Sequence, residues 1–331
     1  MKTFPAGDID IQFEPGPDAR KPGAVTFRQG RIESKVKGLA INEDWPIMPE
    51  PSDPIQFTIT PKRLTECINH VQDVVVFDDN RPNLSGIFFT AEDGKLAAVT
   101  TDTRRLARYA VDVPELPEEI KFILPLATAE MVPGLFKNDA GLTISIYPGK
   151  PEEDSKEVPR PEFISFDSGD KNLLVRLIDG EFPDYHQVVQ DVTEFPRVNL
   201  PGKEITAALK RIGTMVVKGK DFVMLDIAGN VLKLSGEFDG TTISETFDVV
   251  FPFPDVKADF NPGYLIDGIK AAGGDNFTLY LNPDPSGEKP SVIKPDPTAG
   301  EYLYLIMPIR DCRPVILSEE EKARIAAEEK A

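Results

Sequence analysis

Four short segments of this 331-residue chain open with a proline, carry apolar residues at helical spacing and lead into turn residues. Proline suits the first turn of a helix, because the N–H groups there have no partner within the helix. The first segment shows the i, i+3, i+4, i+7 spacing of an amphipathic helix. Its apolar residues are Leu64, Cys67, Ile68 and Val71. The pattern predicts four short helices, which open at Pro61, Pro125, Pro201 and Pro262.

Each predicted helix leads into strands, so the chain repeats one helix-plus-sheet unit. The alternating stretches at 141–146 and 276–281 are predicted strands after the second and fourth helices. The second helix is expected to run to Phe136, with a break or kink at Pro133, because proline cannot donate to the helix. Strands are also predicted at 7–13, 25–27 and 35–36, so the sequence is expected to begin in the middle of a unit.

Two linkers divide the chain into three predicted domains. Stretch 46–54 is too proline-rich for a helix or a central strand, and stretch 191–196 precedes the third helix, which places boundaries near 53 and 193. Residues 1–53 would be the second half of a first domain, 54–193 a second and 194–312 a third. Residues 149–161 are interpreted as a charged surface insertion. The tail, 313–331, has a capping box at 318–321 and an i, i+4 pair of Glu320 with Arg324, which predict a charged helix.

Composition limits the possible functions. No run of about 18 apolar residues is present for a membrane span, and the opening residues lack a signal peptide, so a cytoplasmic location is expected. Cys67 and Cys312 lie far apart, and His70 and His186 are the only histidines, which argues against a zinc site and favours reduced thiols. A net charge of -18 argues against nucleic acid unless a basic lining is hidden within an acidic whole.

A hydrolytic enzyme is one hypothesis, since Asp102, Asp179, Glu181 and Asp184 could supply a carboxylate pair. However, Asp179 precedes a glycine and Asp184 follows a proline, and both patterns are typical of turns. The sequence contains no phosphate-binding loop, zinc-protease motif or nucleophile elbow. The turn interpretation is therefore favoured.

Four strings, in this order, resemble the bacterial sliding clamp family, the beta subunits of DNA polymerase III. They are residues 101–106 (TDTRRL), 177–185 (LIDGEFPDY), 260–264 (FNPGY) and 304–310 (YLIMPIR). The resemblance implies an α+β DNA clamp fold of three domains, the first incomplete, and a non-catalytic protein without a cofactor. It implies a homodimeric ring around duplex DNA, without sequence preference, which a clamp loader opens. The ring would tether the polymerase III alpha subunit and repair or replication factors.

The resemblance also implies a groove between the second and third domains that accepts Gln-Leu-x-Leu-Phe-like peptides. Carried over position by position, its residues would be Arg81, Leu84, Thr101, Thr103, Arg104, Arg105, Leu106, Pro183, Gln187, Val188, Asn261, Tyr264, Ser291, Leu305, Ile306, Met307, Pro308, Ile309 and Arg310. The family usually has Gly-His where this chain has Thr103-Arg104, and often an arginine where it has Gln187. Thr103 and the tail could therefore narrow or cover the groove.

In the family, helices present lysine and arginine to the DNA backbone. The corresponding residues here would be Lys62, Arg63, Lys203, Lys210, Arg211 and Lys270, while the second helix offers only Lys137 near its end. A solvated charged face explains these residues equally well. A second hypothesis is a clamp fragment or paralogue that forms no ring and acts only as a peptide-binding adaptor.

Overall fold

The computed structural model describes residues 4–16, 23–38, 53–137, 140–149, 159–215, 222–238, 241–283, 289–296 and 301–310. The chain divides into two compact units, residues 1–50 and 51–331. The predicted boundary near 193 lies inside the larger unit, and the three-domain division stays a prediction. The predicted helical tail, Cys312, most of the linker at 46–54 and most of the insertion at 149–161 lie outside the described residues. Within those residues, no helix has the length and apolarity that a membrane span needs.

The smaller unit holds a three-stranded antiparallel sheet with one apolar face. Its strands, in order, are β1 (Asp10–Glu14), β2 (Ala24–Gln29) and β3 (Ile32–Lys37). The register sets Phe13 opposite Val25, and Val25 opposite Val36, so these side chains share a face. Phe13 and Val36 remain 69% and 52% exposed. The strands predicted for this part of the chain are confirmed.

The larger unit contains the four predicted helices. They are α1 (Pro61–Val71), α2 (Leu126–Leu135), α3 (Gly202–Met215) and α4 (Pro262–Ala271). Thr60 and Asn261 cap α1 and α4, because their side-chain oxygens accept the N–H of Arg63 and Tyr264. The predicted break at Pro133 is wrong: α2 continues for two residues beyond it. Pro133 lies in the last turn, where the single missing N–H costs little helical structure.

The strands of the larger unit form three antiparallel sheets. Two sheets have four strands, in the orders β11-β10-β9-β4 and β15-β14-β13-β16, and the third has eight, in the order β12-β17-β18-β19-β7-β6-β5-β8. In chain order the strands are β4 (Ile55–Ile59), β5 (Gly86–Glu92), β6 (Lys95–Thr101), β7 (Arg105–Asp112), β8 (Lys121–Pro125), β9 (Leu142–Pro148), β10 (Pro161–Asp167), β11 (Asn172–Arg176), β12 (Arg197–Pro201), β13 (Val223–Ala228), β14 (Val231–Phe238), β15 (Thr241–Asp248), β16 (Val256–Phe260), β17 (Asn276–Tyr280), β18 (Ser291–Asp296) and β19 (Leu303–Ile306).

The pairing of β7 with β19 joins the two halves of the larger unit, which are the parts of the chain before and after residue 193. Leu106 on β7 lies directly opposite Leu305 on β19, and Ala107 lies opposite Tyr304. On the helix side, Nδ1 of His70 on α1 lies 2.6 Å from the carbonyl oxygen of Ala271 on α4. Burial lowers the pKa of His70, which favours the neutral ring at this contact. The two halves therefore meet through both a continuous sheet and a helix contact.

The two faces of the eight-stranded sheet are packed differently. One face packs against all four helices in the main core, where Gly268 of α4 approaches Tyr304 so closely that an added Cβ would lie 2.7 Å from its ring. The other face carries a smaller second core, which residues 178–195, here named the covering segment, partly cover. The buried members of the second core are Leu84, Val99, Leu106, Ile123, Phe182, Tyr185, Val192, Val292 and Leu305.

Candidate peptide-binding groove

The corner between β6 and β7 is fixed by one carboxylate. Asp102 Oδ1 accepts the backbone N–H of Arg104 at 2.9 Å and that of Arg105 at 3.0 Å. The hydroxyl of Thr101 donates to the carbonyl oxygen of Arg105 at 2.8 Å. These short local bonds are typical of an Asx turn, in which the side chain replaces a backbone partner. The corner is therefore a rigid edge rather than a free loop.

Thr103, at the tip of this corner, has φ of +74°. A β-branched residue rarely adopts this left-handed region, because its Cβ approaches the neighbouring backbone too closely. Its amide donates to Thr101 Oγ1 at 3.1 Å, which helps to hold the turn. Thr103 thus carries backbone strain at a position where the clamp family usually has glycine.

We expect Thr103→Gly to raise the free energy of unfolding by about 1 kcal/mol, because glycine adopts positive φ without the Cβ clash. The same change at exposed Thr58, inside strand β4, should lower it by roughly 0.5–1 kcal/mol, since glycine weakens a strand. Urea unfolding of the two variants measures both effects. Destabilisation by both would show that Thr103 is not strained.

Arg105 is buried beneath the corner and joins both halves of the larger unit. Its Nε donates to Asp102 at 2.8 Å, its Nη1 donates to Asp267 of α4 at 2.6 Å and its Nη2 donates to the carbonyl oxygen of Asp73 at 3.2 Å. Its guanidinium also lies 4.1 Å from the ring centre of Tyr264, at cation–π distance. The Arg105 side chain thus serves these internal partners, whereas its neighbour Arg104 points to solvent.

The chain that follows β19 lies beside this corner. Met307 N–H donates to the carbonyl oxygen of Arg104 at 2.9 Å, and Ile309 N–H donates to that of Asp259 at 2.7 Å. Met307, Pro308 and Ile309 are half-buried. They form an apolar rim whose backbone is fixed and whose side chains remain partly accessible.

The covering segment contains the next group of predicted groove residues. Pro183 and Gln187 are exposed, and Val188 is 43% exposed. Asp184 Oδ1 accepts the N–H of His186 at 3.2 Å, and Asp184 Oδ2 accepts Gln187 Nε2 at 3.0 Å. This carboxylate therefore performs the turn role predicted for it and fixes the conformation of this turn.

The other predicted groove residues lie at several places in the larger unit. Leu84, Leu106 and Leu305 are buried together in the second core. Arg81 is exposed and bonded to Asp78 at 2.8 Å, and Asn261 and Tyr264 lie at the start of α4. Ser291 and Ile306 are buried cross-strand partners, and Ile306 packs in the main core on the opposite face from Leu305. The exposed Arg310 lies four residues beyond β19.

Sequence reasoning overlooked the loop that leads to Arg81. Its Phe77 is 80% exposed, although the loop is held in place by Asp78, whose N–H donates to Ser85 Oγ at 3.0 Å. Asp73, at the other end of the loop, touches both Arg105 and Lys270. A large apolar side chain on an ordered loop is a contact candidate. The available signal was the apolar run before two aspartates at 78 and 79.

The predicted DNA-facing side chains are exposed on the helices, but most have acidic partners. Lys203 pairs with Asp275 at 2.9 Å, Arg211 with Glu245 at 2.6 Å and Lys270 with Asp73 at 2.7 Å. The remaining contacts are looser or to the backbone: Lys62 lies 4.0 Å from Glu66, and Arg63 donates to the carbonyl oxygen of Asp112 at 2.6 Å. The hydrogen bonds that Arg211 donates to Glu245 raise the pKa of Arg211 and keep it charged. This face is consequently less basic than its lysines and arginines suggest.

The geometry excludes Asp102, one of the four carboxylates of the hydrolase hypothesis, as a hydrolytic group. The Asp102 side chain is only 8% exposed and bonds Arg105, so it does not lie in a water-accessible cleft. In the part of the chain that the structure describes, no group of three or more His, Cys, Asp or Glu side chains is placed to hold a metal ion. Cys67 is a buried free thiol whose pKa is raised by burial, which makes it a core residue rather than a nucleophile.

Comparison with known proteins agrees with the fold and the motifs. Residues 58–184 match the family described as DNA polymerase III beta subunit, central domain. The beta sliding clamp of Rickettsia bellii is 26% identical over 278 residues, which cover 81% of this chain and 70% of that protein. The beta sliding clamp of Staphylococcus aureus is 24% identical over 310 residues, which cover 91% and 77%.

Solved structures give the same result for the fold. The sliding clamp of Bartonella birtlesii superposes with a TM-score of 0.78 at 21% identity, over 93% of this chain and 78% of that one. The beta subunit of Thermotoga maritima gives 0.75 at 24% identity, over 91% and 76%. Together these matches show that the chain is similar to bacterial beta sliding clamps, the beta subunits of DNA polymerase III, and has their α+β fold.

Proposed function

We propose that this protein is a non-catalytic sliding clamp that closes around duplex DNA as a homodimer and tethers replication proteins through the groove described above. The sequence similarity to beta sliding clamps and the fold support the clamp part of the proposal. The expected partners are the polymerase III alpha subunit, the clamp loader and repair or replication factors with Gln-Leu-x-Leu-Phe-like peptides. Such a tether keeps each partner at a high local concentration on the template.

The observation that carries the proposal is the junction between β7 and β19. It sets the Asp102 corner and residues 307–310 side by side, although they are about 200 positions apart in sequence. Buried Leu106 and Leu305 form the floor, and Met307 and Val188 supply partly exposed apolar walls. A peptide with Leu and Phe anchors suits such a surface, because apolar side chains gain most where the pocket excludes water.

Weak contact with DNA is part of the proposal. The paired cations on α3 and α4 have carboxylates beside them, which offset part of the positive charge that DNA phosphates would meet. A closed ring holds DNA by enclosure, and weak backbone contacts then permit sliding without sequence preference.

The groove is tested by the binding of a fluorescein-labelled Gln-Leu-x-Leu-Phe-type peptide, measured by fluorescence anisotropy. We expect a Kd of micromolar order and a loss of about tenfold or more in Met307→Ala, because truncation of an interface anchor costs more than about 1 kcal/mol. Met307 is the better target than Leu106, because replacement of a buried leucine also destabilises the fold.

Met131→Ala is the matched control, since this methionine is 47% exposed on α2 and outside the proposed groove. It should leave the affinity unchanged. Equal losses in both variants would indicate non-specific apolar binding, and no binding by folded protein would contradict the groove.

The second candidate, an adaptor that forms no ring, is favoured by one observation. The apolar face of the three-stranded sheet keeps Ile11, Phe13 and Val36 more than half exposed. Analytical ultracentrifugation of the peptide-binding protein separates the two candidates. A dimer supports the clamp, whereas a monomer that still binds the peptide supports the adaptor.

A further inference from the structure

A second cavity lies beside the proposed groove. This cleft has a volume of about 760 Å³ and is bounded by strands β5 and β8 and by the covering segment. Pro183, a predicted groove residue, also lines the cleft, so the cleft and the proposed groove are neighbours. The stacked rings of Phe88 and Phe182, with centroids 4.7 Å apart, give the cleft an aromatic wall.

Two polar atoms of residues that line this cleft are buried and have no hydrogen-bond partner among the described residues. They are the hydroxyl of Tyr185, a residue only 5% exposed, and Oε1 of Glu92. Oε2 of Glu92 already accepts both Nε and Nη2 of Arg108, at 2.9 and 2.6 Å. A buried polar atom that stays unpaired is costly, so a ligand that supplies donors here gains affinity.

His186 links the two atoms. Its ring stacks on Tyr185 with centroids 4.2 Å apart, and its Nε2 lies 3.7 Å from Glu92 Oε1. The His186 side chain is 65% exposed. This exposed ring therefore neighbours both residues that carry the unpaired atoms.

The charges that line the cleft select the kind of ligand. The carboxylates are Glu92, Asp179, Glu181 and Asp184, against two cations, Lys121 and Arg160. Arg160 lies 3.9 Å from Asp179, which offsets its charge. The acidic excess disfavours phosphate, nucleic acid or an acidic peptide.

We propose that this cleft binds the guanidinium group of an arginine that flanks the groove-binding motif in a partner's peptide. Guanidinium is planar, carries five N–H donors and stacks on aromatic rings. It can donate to both Glu92 Oε1 and the Tyr185 hydroxyl while it lies near the Phe88 and Phe182 wall. The source of the arginine rests on the proposed function, but the chemistry of the cleft does not.

The first test needs no groove. Protein with ¹³C-labelled tyrosine rings is titrated with acetyl-arginine amide and, separately, with neutral acetyl-citrulline amide, and Tyr185→Phe identifies the Tyr185 signal. We expect the arginine compound to shift that signal at millimolar concentration and the citrulline compound to have no effect. Equal shifts by both, or none by either, would overturn the proposal.

The second test compares peptides that carry arginine or citrulline two residues before or two residues after the motif. Arginine at one of these ends should tighten binding about tenfold over citrulline, the gain expected of one charge-assisted contact. Glu92→Gln should abolish this ratio, and the exposed Glu130→Gln on α2 should preserve it. Met307→Ala should weaken all the peptides and leave the ratio unchanged.

The outcomes separate the two proposals. A Tyr185 shift with arginine, in protein that binds no motif peptide, would support the cleft and contradict the groove. The opposite outcome is motif binding with equal affinity for arginine and citrulline peptides at both ends and no shift of the Tyr185 signal. This outcome would support the groove and contradict the cleft. Thermal melting of Glu92→Gln and Tyr185→Phe checks that each variant is folded.

Discussion

Arg105→Ala should lower the free energy of unfolding by about 3–5 kcal/mol, because removal of one partner leaves a buried charge without compensation. The side chains of Arg105 and Asp102 are only 7% and 8% exposed, so water cannot replace the lost guanidinium. The variant also removes a bond to Asp267 and a cation–π contact with Tyr264, which tie α4 to strand β7. Urea unfolding followed by circular dichroism measures the change.

The neighbouring arginine provides the control. Arg104 is exposed, and Arg104→Ala should change stability by no more than about 0.5 kcal/mol. Arg105→Lys retains the charge but not the planar fork, so its loss should fall between the two. A loss below about 1 kcal/mol in Arg105→Ala would show that Asp102 is well solvated in the folded protein.

The helices could be predicted because their signals are local. Apolar spacing and an opening proline lie within a dozen residues, and all four helices are confirmed. Pro133 was misjudged, because its effect depends on where the helix ends, and α2 ends only two residues later. The cost of a proline follows from its position in the last turn, which periodicity alone did not define.

The eight-stranded sheet was not foreseen, although its strands were partly recognised. Pairing of β7 with β19 depends on the register between distant segments, which no local pattern specifies. The groove was therefore located through the resemblance of four motifs, and not through a derivation from strand order. Its residues remain predictions that the peptide experiment tests.

The sequence also did not show which groups the charged side chains pair with. The resemblance predicts Arg105 as a groove residue. In the structure its Nη1 donates to Asp267, a residue 162 positions away. Lys270 reads as a DNA contact, yet it pairs with Asp73. Charge type is visible in a sequence, but the neutralising partner is fixed by tertiary packing.

The second large effect concerns the leucine pair at the junction between the halves. Leu106→Ala and Leu305→Ala should each lower the free energy of unfolding by about 2–4 kcal/mol, because both leucines are buried in the second core and little can fill the cavity. Since the two lie directly opposite each other on β7 and β19, the double variant should lose about 1 kcal/mol less than the sum of the single losses.

Leu135→Ala on α2 is the matched control, since this leucine is 37% exposed, and it should cost less than about 1 kcal/mol. Combined with Leu106→Ala it should give additive losses, because it lies outside the second core. Additive losses for Leu106 and Leu305 would mean that the two side chains do not share one packing site. The continuous sheet would then lack the leucine contact that aligns the two walls of the groove. The case for one peptide-binding surface across both halves would weaken.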